Sequence, residues 1–207
     1  MITAICLFLI GASAGAFMVF RHLKRLRLPG WVAVAHGAAG ATGFALLLLF
    51  CLREPAVALA RYALGIVLPE PPRPMATYAT AVDHERLLHL SGHGPLRADG
   101  TYVTGKLGET MNVAAGKEAA RLTGIAVLAT LRAKLGSLDR VSRIVKVLGM
   151  VNATPDFTEH PQVINGFSDL MVQVFGEAGV GARSAVGVAS LPVGIPVEIE
   201  AIVERTA

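Results

Sequence analysis

Two long segments without a charged side chain, close together near the amino end, constrain this 207-residue chain more than any other feature. Residues 2–20, ITAICLFLIGASAGAFMVF, and residues 31–52, WVAVAHGAAGATGFALLLLFCL, are each long enough to cross a hydrocarbon core of about 30 Å at about 1.5 Å per residue. A Pro-Gly pair between them indicates a turn. The sequence therefore predicts a transmembrane helical hairpin over residues 1–53 and a separate domain over residues 54–207.

The charges around these two runs leave the membrane topology open. The loop RHLKRLRLPG carries four basic residues, and the positive-inside rule places such a loop in the cytoplasm, which directs both ends of the hairpin outward. Arg53 and Arg61 behind the second run weaken that bias. The first run also resembles a secretory signal peptide. A hairpin is favoured because no basic segment precedes the run and a second span follows at once.

The charge distribution argues against a nucleic-acid-binding function. Residues 1–52 contain four basic and no acidic residues, whereas residues 53–207 contain fifteen of each. The pI of about 9.4 therefore comes from the loop of the hairpin and not from a basic face. Aromatic residues make up only 6% of the chain, so few rings are present to stack on single-stranded bases. We expect no nucleic-acid partner.

After a proline-rich stretch at 69–74, strand and helix patterns alternate. Strands are predicted at 78–82, 86–91, 102–104, 141–151, 184–190 and 196–203, and helices at 112–135 and 161–175. The last two strands are expected to form a pair joined by the loop 191–194. β-Branched runs such as VSRIVKVLGMV are typical of strands, and the alanine- and leucine-rich first helix has one apolar face. Gly136 and Gly176 are expected to end the two helices. Two helices covering one face of a mixed sheet give an α+β sandwich.

Four segments, in this order, resemble the RidA/YjgF family of imine and enamine deaminases. They are LLHLSGHGP at 87–95, VSRIVKVLGMVNATPDF at 141–157, VINGF at 163–167 and ARSAVGVASLPVGIPVEIEAI at 182–202. The last is the most specific, since it resembles the family signature A-R-S-x-V-x-V-x-x-L-P followed by V-E-I-E. The resemblance covers residues 56–204. It implies a chorismate-mutase-like α+β subunit, three of which associate with ligand clefts between neighbours.

The same resemblance implies roles for individual residues. Arg183 stands at the carboxylate-binding arginine of the family, and Glu198 stands at the acid that positions a hydrolytic water. Further substrate-binding positions are matched by Tyr78, Ser91, Gly92 and Asn165. The chain departs from the family at Ala185, where many members have Cys, and at His93, where they have Gln. These departures leave the activity and the substrate range open.

The residue types also suit hydrolysis of a 2-imino acid on physical grounds. A guanidinium offers a planar two-donor fork that matches the substrate carboxylate. With the substrate held in this way, the carboxylate of Glu198 could orient and deprotonate a water, giving a 2-oxo acid and ammonia without a metal or redox cofactor. The alternative is an ordinary surface ion pair between Arg183 and Glu198. The family resemblance favours the catalytic interpretation.

Four histidines, His84, His89, His93 and His160, raise the question of a metal site. Their spacing matches no zinc signature, so we expect none. The segment 105–108, Gly-Lys-Leu-Gly, is too short for a phosphate-binding loop and is predicted as a turn.

The sequence thus favours a membrane-tethered homotrimeric deaminase that acts on small 2-imino or enamine acids. Two alternatives are a non-catalytic sensor that uses Arg183 to bind a carboxylate ligand, and a trimerising platform whose functional part is the hairpin. The loop charges direct the domain out of the cytoplasm, whereas the substrates that the family resemblance implies favour the cytoplasm. Residues 1–52 could also be a fused or misjoined reading frame, since family members without a membrane part begin near residue 55.

Overall fold

The computed structural model describes residues 68–206. The predicted spans at 2–20 and 31–52, and the predicted boundary at residue 53, lie outside the described residues. Between residues 68 and 206, no helix combines the length and the apolar character needed to cross a bilayer.

Five strands and two long helices make up the described part of the chain. In order they are β1 (Ala81–His84), β2 (Leu87–His93), α1 (Val113–Leu135), β3 (Val141–Asn152), α2 (His160–Phe175), β4 (Ala182–Val188) and β5 (Val197–Arg205). Short 3-10 turns lie at Leu138–Arg140, Gly176–Gly179 and Pro192–Gly194. The order of these strands and helices agrees with the sequence pattern, but the strand predicted at 102–104 is wrong, since this segment forms only an isolated bridge between Tyr102 and Leu96.

The boundaries differ most at the first strand, which was predicted at 78–82. It begins only at Ala81, because the N–H of Tyr78 turns back to donate to the carbonyl of Ala76 at 2.9 Å. The ends of α1 are close to their predicted positions. Asn112 caps the helix with its side chain, which accepts a hydrogen bond from the N–H of Ala115 at 2.9 Å, and Gly136 closes it with φ of 80°.

The strands form one mixed sheet in the order β1-β2-β5-β3-β4. All neighbouring pairs are antiparallel except β3 and β4, which are parallel. The predicted pairing of the last two strands is wrong, because β3 lies between β4 and β5. A parallel pair needs a long crossover connection, and α2 provides it. The predicted α+β sandwich with two helices on a mixed sheet is therefore confirmed.

Only one face of the sheet is covered by the helices. On β5 the alternate residues Val197, Ile199 and Ala201 are buried, whereas Glu198 and Glu200 point to the opposite, open face. The helix α2 contributes an apolar stripe to the same core, consisting of Val163, Ile164, Phe167, Leu170, Met171 and Val174.

The two helices approach each other most closely at Gly166 of α2. A Cβ atom added there would overlap the backbone carbonyl of Lys117 on α1. Because a backbone carbonyl cannot rotate away as a side chain can, this contact limits the residue at 166 to glycine. The close approach keeps both helices packed on the sheet and holds α2 beside β4.

We expect Gly166→Ala to lower the free energy of unfolding by about 1–3 kcal/mol through overpacking. Gly116→Ala is the matched control on α1, since its added methyl meets side-chain atoms of Leu107 and Val163 at 2.8 and 3.2 Å. These atoms can shift, and alanine gains about 1 kcal/mol of helix propensity over glycine. Urea unfolding of the full-length protein compares the two variants. Equal midpoints would contradict the backbone contact as the cause.

Candidate functional site

A pocket beside the end of β2 contains the carboxylate of Glu198. Its lining includes Tyr78 from the segment before β1, Gly92 from β2, and Val193 and Ile195 from the turn before β5. Three of the residues predicted from the sequence, Tyr78, Gly92 and Glu198, therefore lie together. They come from separate segments that the antiparallel pairs β1–β2 and β2–β5 bring side by side.

Gly92 and Glu198 are in direct contact. A Cβ added to Gly92 would overlap Oε1 of Glu198 and lie 2.9 Å from its Cγ, so a larger residue at position 92 would displace this carboxylate. Ser91 does not line this pocket, and its substrate-binding role stays a prediction. Its hydroxyl donates to the carbonyl of Ala79 at 2.6 Å. Ser91 also lines an open depression of the sheet together with Glu200. Ser91 thus fixes the segment that carries Tyr78 rather than facing the Glu198 pocket.

Glu198 is half-buried, and its environment favours the protonated carboxyl. Burial raises the pKa of Glu198 above its ordinary value of 4.5, and the negative charge of Glu200 on the same strand raises it further. A carboxylate with a raised pKa is a better proton acceptor than an exposed one. It suits a group that takes a proton from water and later returns it.

Arg183 belongs to a second group of side chains, between β4 and α2. Its Nη1 donates to Oδ1 of Asn165 and to Oγ of Ser168, both at 2.9 Å, and its Nη2 lies 3.5 Å from the carbonyl oxygen of Pro161. The two hydrogens of Nη1 are thus used by α2. Its Nε has no hydrogen-bond partner among residues 68–206, so the edge formed by Nε and Nη2 is available to a carboxylate.

The structure brings Asn165 to Arg183, as expected, and adds Ser168, which sequence reasoning missed. Ser168 lies three residues after Asn165 on α2, a spacing that places both side chains on one helix face. That spacing was the available signal. It could be used only once the strand carrying Arg183 was known to lie against this face.

Within one chain, Arg183 and Glu198 do not meet. Arg183 pairs in register with Val147 of β3, which is buried under the helices. Glu198 pairs with Met150, three residues further along β3, and therefore lies on the opposite face of the sheet. The interpretation of the two residues as an ion pair between strands is thus wrong for a single chain. Each residue instead belongs to a separate cluster of side chains.

The two departures from the family pattern lie in different environments. Ala185 is half-buried and packs against the core from β4. The side chain of His93 is buried, and it points from the end of β2 toward Thr130 of α1, with Nε2 at 2.8 Å from the threonine Oγ. Burial lowers the pKa of His93, and a hydrogen bond to the carbonyl of Ser91 opposes this only in part.

The other candidate groups have structural roles. Among residues 68–206, no three His, Cys, Asp or Glu side chains are arranged to hold a metal ion. The ring of His160 packs edge to face on Phe157, with centroids 5.2 Å apart. In the segment 105–108, Nζ of Lys106 donates to the carbonyl of Ala189 at 3.2 Å, which ties this loop to the one after β4.

The raised pKa of Glu198 makes a prediction about stability. The folded protein binds this proton more tightly than the unfolded chain, so ionisation of Glu198 destabilises the fold at neutral pH. We expect Glu198→Gln to raise the melting temperature relative to wild type at pH 7, and this advantage to shrink as the pH falls toward and below 4.5. Thermal unfolding across this range measures it. A difference that does not vary with pH would contradict the assigned environment.

Comparison with known proteins agrees with the fold and the motifs. A family described as "YjgF/chorismate mutase-like, putative endoribonuclease" matches residues 60–198. Protein TCP17 of Trypanosoma cruzi is 46% identical over 142 residues, which cover 68% of this chain and 89% of that protein. The crystal structure of Atu1372 from Agrobacterium tumefaciens is 39% identical, has a TM-score of 0.67, and is matched over 73% of this chain and 94% of that one.

A second crystal structure, of a protein from Shewanella oneidensis described as a putative endoribonuclease, is 28% identical with a TM-score of 0.69. That match covers 72% of this chain and 98% of the other. The family match spans well over half of the chain, and TCP17 is similar over most of its own length. This chain therefore belongs to the YjgF/RidA-like family.

Proposed function

We propose that this protein hydrolyses reactive 2-imino or enamine acids to 2-oxo acids and ammonia. The observation that carries the proposal is the state of Arg183. Its guanidinium is half-buried, two of its hydrogens are held by Asn165 and Ser168 at 2.9 Å, and on its other edge Nε has no partner among the described residues while Nη2 makes one long contact, of 3.5 Å, to the carbonyl of Pro161. A fixed guanidinium with a free edge is a carboxylate-binding group of defined direction.

In this reaction Arg183 binds the substrate carboxylate and thereby fixes the position of the C=N carbon. Glu198 takes a proton from a water as its oxygen bonds to that carbon, and the electron pair of the C=N bond moves to nitrogen. The nitrogen gains this proton from Glu198, which gives a carbinolamine. Glu198 then takes the hydroxyl proton as the C=O bond forms and the C–N bond breaks, and this second proton passes to the nitrogen, which leaves as ammonia. The raised pKa of Glu198 supports these proton transfers.

The two halves of the site would meet between neighbouring copies of the chain. Arg183 and Glu198 lie on opposite faces of one sheet, so a substrate that contacts both needs a second subunit. The open face also bears apolar side chains that a neighbour could cover, such as Val82 and Val186, which are 55% and 42% exposed. We propose a homotrimer, as the family resemblance implies, in which one chain supplies Arg183 and the next supplies Glu198.

Replacing Arg183 tests substrate binding. We expect Arg183→Ala to lower kcat/KM by about 10²-fold or more, because each charge-assisted hydrogen bond contributes about 1.5–3 kcal/mol. Arg183→Lys keeps the charge but not the fork, so its loss of kcat/KM should be smaller.

We expect Glu198→Gln to act mainly on kcat, with a loss of about 10²–10⁴-fold. Ammonia release from a freshly generated imino acid is the measurement. Wild-type rates in Arg183→Ala would overturn the deaminase proposal.

Mixing the two inactive variants tests the shared site. Arg183→Ala and Glu198→Gln chains, unfolded and refolded together in equal amounts, should recover about one quarter of wild-type activity, since one junction in about four joins an intact Arg183 to an intact Glu198. Arg183→Ala mixed with the double variant is the control, because no junction there is intact. If the mixture of single variants stays as inactive as this control, both residues serve the same site from one chain.

A carboxylate sensor without turnover is the second candidate. Ala185 favours it, because this chain lacks the thiol that many family members have two residues after the arginine. Such a protein would be stabilised against heat by 2-oxo acids, would lose that stabilisation in Arg183→Ala, and would release no ammonia in the wild-type form. The same two assays therefore separate the sensor from the enzyme.

An RNA substrate is disfavoured, although relatives carry an endoribonuclease description. The part after residue 52 has equal numbers of acidic and basic residues, which provides no net attraction for a phosphate backbone.

Membrane attachment through residues 2–52 remains a prediction from the sequence. Protease accessibility of the domain in intact cells and in opened cells tests both the attachment and the side on which the domain lies.

A further inference from the structure

The strand β2 contains a β-bulge immediately before its last residue. Leu90 pairs with Ala201 of β5, and His93 pairs with Ile199, so three steps along β2 match two steps along β5. The extra residue changes the alternation of the strand, so that His93 rather than Gly92 points to the helix-covered face. This explains why a histidine at the end of β2 is only 3% exposed.

His93 connects the bulge to the helix layer. Its Nδ1 lies 2.6 Å from the carbonyl oxygen of Ser91, and its Nε2 lies 2.8 Å from Oγ of Thr130 on α1. A carbonyl oxygen can only accept, so Nδ1 carries the hydrogen and Nε2 accepts from the threonine hydroxyl. Burial, which lowers the pKa of His93, keeps the ring neutral at pH 7 and preserves this pair of bonds.

The other side of the bulge contacts the carboxylate of the site. The backbone of Gly92 lies so close to Glu198 that a single added methyl would overlap Oε1. With no space between them, a displacement of the bulge moves the carboxylate or opens it to water. The position of Glu198 therefore depends on the contacts that hold the bulge from the side of α1.

We propose that His93 is a positioning residue for Glu198, because it holds the Ser91–Gly92 bulge against Thr130 of α1. This inference rests on the proposed function for its effect on the reaction. His93 does not contact the substrate in this scheme. It acts through the bulge, and Thr130 provides the hydrogen bond that holds the histidine to α1. The histidine, which stands where many family members have glutamine, thus forms a buried link between sheet and helix in this chain.

The chain offers a matched pair of threonines for the test. Thr130 and Thr123 are both fully buried on α1, but Oγ of Thr123 donates to the carbonyl of Ala119 within the helix and has no contact with the bulge. We expect Thr130→Val to lower kcat about 10-fold, with KM changed less than about 2-fold because the Arg183 half is intact. Thr123→Val should keep the wild-type kcat, even if it lowers the melting temperature by as much as Thr130→Val does.

Two substitutions of the histidine complete the set. His93→Leu removes both bonds and should lower kcat at least as much as Thr130→Val. His93→Gln can still donate to one partner and accept from the other, and it should restore kcat to within a few-fold of wild type. If His93→Leu does not fold, Thr130→Val carries the test alone. Wild-type kcat in the folded Thr130→Val protein would overturn the inference.

A readout without turnover separates this inference from the proposed function. The titratable groups around Glu198 are Arg73, Tyr78, His93, Tyr102 and Glu200. Thr130→Val changes none of them, so a shift in the titration of Glu198, followed by carboxyl NMR, reports its position. We expect the pKa of Glu198 to fall toward 4.5 in Thr130→Val and to keep its wild-type value in Thr123→Val. If the wild-type protein releases no ammonia, the proposed function fails, and this titration still decides the positioning role.

Discussion

The alternation of side chains between the two faces of the sheet determines where Arg183 and Glu198 lie. On β5 it buries Val197 and Ile199 under the helices and turns Glu198 outward. On β4 the register with β3 turns Arg183 toward α2 instead. Because strand neighbours in register share a face, these directions cannot be exchanged without moving a strand by one residue. A single chain therefore carries the two halves of the proposed site on opposite faces of the sheet.

One face of the helix α2 packs in the core, and another face holds Arg183. Its apolar stripe, which includes Ile164 and Phe167, packs on the sheet and on α1. Residues between these apolar positions, Asn165 and Ser168, accept hydrogen bonds from Arg183. The direction of the guanidinium thus depends on how closely α2 is packed. Core packing and ligand geometry are coupled through one helix.

The Glu198 half-site depends on a local irregularity. A regular strand would place Gly92 on the covered face and His93 on the open one, whereas the bulge reverses this. The reversal leaves the carbonyl of Ser91 to be satisfied by a side chain, and the buried imidazole does so. The departure from the family pattern at position 93 is in this way part of the packing of β2 against α1.

The sequence by itself determined the fold class and the order of the elements between residues 68 and 206, because strand and helix periodicities report burial locally. It also identified the family and the arginine and glutamate motifs. Only the tertiary structure decided that Arg183 and Glu198 lie on opposite faces, that Ser168 joins the arginine, and that His93 is a buried link. The physical reason is that register, bulges and helix contacts depend on partners far away in the sequence, which no local pattern records.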